Sequence, residues 1–199
     1  MSIFVITTGG TISALPTDDY RRETLATTLV MSSNRDLVRE TLEAKPGFQG
    51  RFVTLEFMDS RMIDDIYRLD ILKHIEAAPE NRILITHGTD TILQTANFLY
   101  RSAQDNAALA GKVIVLTGSM MSLANGPESD GYLNLDFALG QLNTLATAGD
   151  TNIYIVLCDY ESPEIESGTW TPRLYKYAPN TYEKVYGTDG RHNRLKRVG

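Results

Sequence analysis

A glycine pair followed by a threonine, Thr7-Thr8-Gly9-Gly10-Thr11-Ile12, ends the first apolar run of the chain. Two glycines admit positive φ and let the backbone approach a ligand closely, so N–H groups can face an anion or a carbonyl oxygen. Neither G-x-x-x-x-G-K-[ST] nor G-x-G-x-x-G occurs, which weighs against a nucleotide site. Thr11 could be a nucleophile, but a threonine hydroxyl is inert without a base. By itself this loop reads as a turn.

A second cluster is Thr86-His87-Gly88-Thr89-Asp90-Thr91. A hydroxyl beside a carboxylate can orient a nucleophile or bind an ammonium group. His87 and Asp90 are metal-ligating types, yet no further clustered His or Cys completes a coordination shell. The plain alternative makes Thr89 or Asp90 a helix N-cap, with Gly88 relaxing the turn. This loop alone decides for neither. A third polar segment runs from Gly118-Ser119-Met120 to Ser129-Asp130-Gly131 and Asn134. Here Asp130 reads as an N-cap, and Asn134 as a bond across to a neighbouring loop.

These loops need a frame, and the apolar pattern supplies one. Ile3–Ile6, Phe52–Phe57, Ile83–Thr86, Val113–Thr117 and Ile153–Leu157 read as strands. Between them, residues 34–44 read as a helix with Asn34 as N-cap, and Ile66, Leu69, Ile71 and Leu72 as the apolar face of another ending near Pro79. Thr91–Ala103 and Leu133–Leu145 complete the set. Short apolar strands alternating with helices predict an α/β fold, a mostly parallel sheet with helices on both faces, flavodoxin-like or Rossmann-like. In such sheets ligands lie beyond the carboxyl ends of the strands. Residues 1–160 form this domain, and 161–199 an irregular or β-hairpin extension packed on it.

The 199 residues are 42% apolar and 22% charged, with a net charge of −6, as in an ordinary soluble domain. Such a chain buries about 70% of its unfolded surface. No apolar run approaches the roughly 18 residues of a membrane span, and a strand starting at Ile3 leaves no room for a leader, so a cytoplasmic location is expected. One cysteine, Cys158, excludes an internal disulfide and a thiolate-rich zinc site. Residues 173–199 are basic, with seven Lys or Arg against Glu183 and Asp189, but carry no recognition motif. No nucleic-acid or membrane partner is expected.

Taken in order, Thr8-Gly9-Gly10-Thr11-Ile12, Asp59-Ser60, His87-Gly88-Thr89-Asp90-Thr91, Leu116-Thr117-Gly118-Ser119-Met120 and Ser129-Asp130-Gly131 resemble the bacterial-type L-asparaginase/glutaminase family. The resemblance covers residues 3–160 and corresponds to the family's N-terminal catalytic domain, as in a short form. It implies an amidohydrolase converting L-asparagine and water to L-aspartate and ammonia. By that likeness Thr11 is the primary nucleophile, and Thr89 and Asp90 the second threonine and its acidic neighbour. Lys176 is the lysine completing that set by position, and Tyr20 the tyrosine assisting Thr11. Gly10, Asp59, Ser60, Arg61, Gly88 and Ser119 form the substrate-binding set, with Ser60 on the α-carboxylate and Asp90 on the α-ammonium. Backbone N–H groups around Gly10 and Thr89 are the candidate oxyanion donors. Arg61 departs from the family's amide-type residue, and its fixed charge favours a carboxylate over an α-ammonium. The alternatives are an amidase of another small carboxamide and a non-catalytic amino-acid-binding module. No metal or organic cofactor is implied. A homodimer is expected, and the sequence admits either an acyl-threonine or direct attack by water.

Overall fold

The computed structural model describes residues 2–16, 29–30, 35–147, 149, 151–161, 169–186 and 193–198. The chain enters through β1 (Ile3–Gly9), followed by two short paired strands, β2 (Leu15–Pro16) and β3 (Leu29–Val30). There follow α1 (Leu37–Glu43), β4 (Gly50–Met58), α2 (Asp65–Ala77), β5 (Arg82–Thr86), α3 (Ile92–Gln104), β6 (Val113–Thr117) and α4 (Asp130–Thr144). The last elements are β7 (Asn152–Glu161), β8 (Thr169–Lys176), β9 (Tyr182–Tyr186) and β10 (Asn193–Arg197).

Six strands form one sheet in the order β4-β1-β5-β6-β7-β8. The first five are parallel, and β8 runs antiparallel to β7. Strand β1 has β4, the next strand of this sheet along the chain, on one side and β5 on the other. The chain therefore reverses its direction of winding between β1 and β5, and in sheets of this kind the crevice that binds ligands lies beyond the carboxyl ends at that point.

Alternation along the strands sorts the core into two layers. Phe4, Ile6, Ile83, Ile85, Ile114 and Leu116 face α2 and α3. Ile3, Val5, Leu84, Val113 and Val115 face α1 and α4. Helices thus cover both faces. Each fully buried aliphatic side chain contributes about 1.5–3 kcal/mol relative to exposure.

At the carboxyl rim the register aligns four threonines. Thr7 stands opposite Thr54 and Thr86, and Thr86 opposite Thr117. Thr7 and Thr54 both donate to Asp36 Oδ2, at 2.6 and 2.7 Å. Thr8 donates to the Thr86 carbonyl at 2.8 Å, and Thr117 to that of Val156 at 2.8 Å. These bonds fix the strand ends from which the loops depart.

Three local readings are corrected here. The N-cap of α1 is Asp36, which accepts from Arg39 N–H; Asn34 lies outside the described residues. The N-cap of α4 is Ser129, and Asp130 is the first helical residue. Ile66 and Leu69 are 78% and 46% exposed, not inward. The inward stripe of α2 is Arg68, Ile71, Leu72 and Ile75, a helical spacing that turns Ile66 to the opposite side.

Strand β8 belongs to the main sheet, while β9 and β10 pair with each other. Leu195 of β10 and Tyr182 of β9 join the core layer beside α3.

Candidate active site

Four loops meet at the crevice through glycines. A Cβ on Gly10 would stand 2.5 Å from Gly88 Cα, at a φ of +76° that side chains rarely adopt. One on Gly88 would stand 2.6 Å from Ser60 Oγ, and one on Gly118 2.3 Å from the His87 carbonyl. The backbone after β1 thus lies directly on the backbone after β5, which lies on Ser60 and on the loop after β6. Thr11 and Thr89 each follow one of the stacked glycines, Gly10 and Gly88, in the chain.

Each threonine opens a 3-10 turn, Thr11–Ser13 and Thr89–Thr91. Thr89 is 7% exposed. The N-cap reading of that loop assigns Thr89 or Asp90 to α3; Thr91 holds the cap position instead, its hydroxyl donating to the Ser60 carbonyl at 2.6 Å.

The lysine beside Thr89 and Asp90 is Lys184. Its Nζ donates to Asp90 Oδ1 at 2.8 Å and reaches Thr89 Oγ1 at 3.5 Å. Lys176, expected here, stands at the opposite rim: it pairs with Tyr154 near the start of β7, and the Tyr177 N–H donates to the Ile153 carbonyl. The cause is strand direction. Antiparallel β8 carries the chain away from the carboxyl rim, a turn with Asn180 at positive φ reverses it, and β9 brings Lys184 back. Tyr182 and Lys184, two residues apart on one strand face, both border a cavity of about 450 Å³ against Asp90, Gln94, Asn97 and Arg101.

On the other side of Asp90 stands Arg61. Its guanidinium clamps Asp59 through Nε at 3.0 Å and Nη2 at 2.6 Å, and its Nε lies 3.9 Å from Asp90 Oδ2. The hydrogen bonds from Arg61 hold the Asp59 carboxyl below its usual range. Asp90 is therefore bracketed by two cations, Lys184 and Arg61.

Two expected contacts are already committed elsewhere. The Gly10 N–H donates to the Met58 carbonyl at 3.2 Å, which removes it as an oxyanion donor. Ser119 is 1% exposed, and its hydroxyl donates to the Met121 carbonyl at 2.5 Å, so it shapes the loop instead of facing the crevice. Tyr20 lies outside the described residues.

Buried support surrounds the site. Asp130 accepts from the N–H groups of Met120 and Met121 at 2.9–3.1 Å, and burial lifts its carboxyl to about 6 against those bonds. Asn134 donates to the Gly118 carbonyl at 2.9 Å, the cross-loop bond its position suggests. His87 is fully buried, with Nδ1 2.8 Å from the Gly88 carbonyl and Nε2 2.9 Å from Thr95 Oγ1. Both ring nitrogens are engaged by the protein, so the ring is not presented to a ligand. Sequence spacing signalled none of Thr95, Lys184 and Arg68.

Burial pushes the His87 pKa down from 6.5 to about 4, the bond to Gly88 opposing and the Arg68 charge assisting. Between pH 6.5 and 4 the unfolded chain binds a proton that the folded chain refuses, so this contribution to stability is complete above 6.5 and lost on acidification. The destabilisation caused by His87→Gln is thus expected to shrink by about 2 kcal/mol between pH 7 and pH 4.5. Urea unfolding at the two pH values checks this, and an equal cost at both would contradict it.

An open α/β sheet thus carries a Thr89-Asp90-Lys184 cluster beyond the carboxyl ends of its strands, near its winding reversal. The asparaginase N-terminal-domain model matches residues 2–181, and the chain belongs to the asparaginase family. It is 27% identical over 187 residues to L-asparaginase of Thermococcus kodakarensis, covering 93% of this chain and 51% of that protein. Among solved structures, L-asparaginase I of Vibrio cholerae superposes with a TM-score of 0.59 at 22% identity, over 98% of this chain and 51% of that one. The thermostable L-asparaginase of T. kodakarensis gives 0.57 at 23% identity, over the whole of this chain and 58% of that one. The superpositions show a shared fold. The chain spans about half the length of these relatives. Among the described residues, no helix is long and apolar enough to cross a membrane.

Proposed function

We propose that the protein is an amidohydrolase that converts L-asparagine and water to L-aspartate and ammonia. The observation that carries this reading is the Lys184–Asp90–Thr89 cluster, with Nζ at 2.8 Å from the carboxylate and 3.5 Å from the hydroxyl, beside the loop of Thr11. Membership of the asparaginase family and the 27% identity to an L-asparaginase support it.

Thr11 Oγ attacks the side-chain amide carbon, forming a C–O bond; the C–N bond breaks and ammonia leaves with the hydroxyl proton. Water then adds to the ester, releasing aspartate and restoring Thr11. The Lys184–Asp90–Thr89 cluster orients and relays the proton of the attacking group. The N–H of Thr89, at the start of its 3-10 turn, is the donor assigned to the developing oxyanion. Ser60 takes the α-carboxylate, and Asp90 the α-ammonium.

One observation favours a second reading. Arg61 stands 3.9 Å from the Asp90 carboxylate and competes there with an α-ammonium. A site so bracketed suits an amide that bears a carboxylate but no α-amino group. An ammonia-release panel of asparagine, glutamine and succinamate separates the two. Asparagine is expected to have the highest kcat/KM. Succinamate ahead of asparagine would replace the first reading by the second, and release from none would end both.

A further inference from the structure

A chain of hydrogen bonds runs from the surface to the peptide that opens the Thr89 turn. Asp65, on the first turn of α2, accepts from Arg68 Nη1 at 2.8 Å. Arg68 Nε donates to Thr95 Oγ1 at 3.1 Å, Thr95 lies 2.9 Å from His87 Nε2, and His87 Nδ1 lies 2.8 Å from the Gly88 carbonyl. Arg68 is 8% exposed, and Thr95 and His87 are fully buried.

The direction of every bond is forced. A guanidinium only donates, so the Thr95 oxygen accepts from Arg68 and its proton is left for His87. A carbonyl only accepts, so Nδ1 carries the imidazole hydrogen. A ring kept neutral by burial then offers Nε2 as the acceptor Thr95 requires. The result is a single tautomer, Nδ1–H, holding the Gly88 carbonyl toward the interior.

A trans peptide is planar, with its N–H pointing opposite to its C=O. A Gly88 carbonyl turned in to His87 therefore turns the Thr89 N–H outward, away from the buried ring. We propose that Arg68 and Thr95, acting through His87, are positioning residues that hold this peptide so that the Thr89 N–H faces the reacting amide. The catalytic part of this inference rests on the amidohydrolase reading above; the peptide orientation does not.

Thr95→Val removes the hydroxyl at nearly constant volume, and Thr95→Ser keeps it. The valine variant is expected to lose about 10–100-fold in kcat with KM within about threefold, a fraction of what loss of an oxyanion donor costs. The serine variant stays within about threefold of wild type in both. Nitrogen-15 NMR provides a readout that does not depend on turnover. Wild type and Thr95→Ser are expected to show His87 as the Nδ1–H tautomer and a common Thr89 amide resonance, which shifts in Thr95→Val.

An unchanged kcat in the valine variant, with the wild type active, would overturn the catalytic role. A wild-type His87 protonated on Nε2, or a Thr89 amide unmoved by valine, would overturn the positioning itself. If the wild type releases no ammonia, the amidohydrolase reading fails and the NMR arm alone judges the peptide orientation. If Thr95→Val does not fold, the wild-type tautomer decides.

Discussion

Lys184→Met is expected to lower ammonia release from L-asparagine by about 10²–10⁴-fold, the usual worth of a positioned proton-transfer group. Lys176→Met is expected to leave it within about twofold, as for an exposed substitution away from the site. Methionine keeps most of the lysine stem, and the Lys184 side chain is only 9% exposed, so packing along β9 is largely retained while the charge is lost. What disappears is the 2.8 Å contact to Asp90 and the approach to Thr89. Lys176 makes its pairing through the backbone of β8 at the far rim. Initial rates of the two purified variants decide the matter. Comparable losses in both, or a loss in Lys176→Met alone, would mean that the lysine was assigned to the wrong strand.

Thr11→Ala and Thr89→Ala should each reduce kcat by about 10³-fold or more, and the double variant should lose no more than the worse of the two. Residues that act on one transition state as a unit are non-additive in this way. The stacking of Gly10 on Gly88 is the ground for expecting such a unit, since each threonine opens a 3-10 turn directly after one of these glycines. Single-turnover measurements on the three variants test it, with thermal melts confirming that each is folded. Losses that multiply would place the two threonines in separate roles. A Thr11→Ala variant as active as the wild type would leave water, activated at Thr89, as the attacking group.

The five parallel strands were legible, four as short apolar runs and β4 as an alternating one. Their carboxyl ends pointed to the loops that meet at the crevice. Helix boundaries were less so, for identifiable reasons. Apolar spacing suggested Ile66 and Leu69 for the inner face of α2, but Arg68 lies on that face, its guanidinium donating to buried Thr95 and to Asp65 at the surface. Asp130 looked like a cap and is instead the acceptor that ties down Met120 and Met121.

The resemblance pointed to Lys176 by position, whereas Lys184 is the lysine that stands against Asp90, because position along the chain carries no sign of strand direction. Lys176 and Lys184 both sit in aromatic, alternating segments, and only the antiparallel pairing of β8 with β7 tells which one returns to the site. The Gly10 N–H was a reasonable oxyanion donor from sequence; the bond to Met58, across from β4, is a long-range contact that no local pattern announces.

Conversion of L-asparagine by the purified chain, followed by proton NMR with ammonia measured in parallel and Thr89→Ala run beside it, bears most directly on the proposed activity. The account predicts one aspartate and one ammonia per asparagine consumed, with turnover nearly abolished in Thr89→Ala. Asparagine left intact at millimolar concentration, or consumed equally fast by Thr89→Ala, would contradict it.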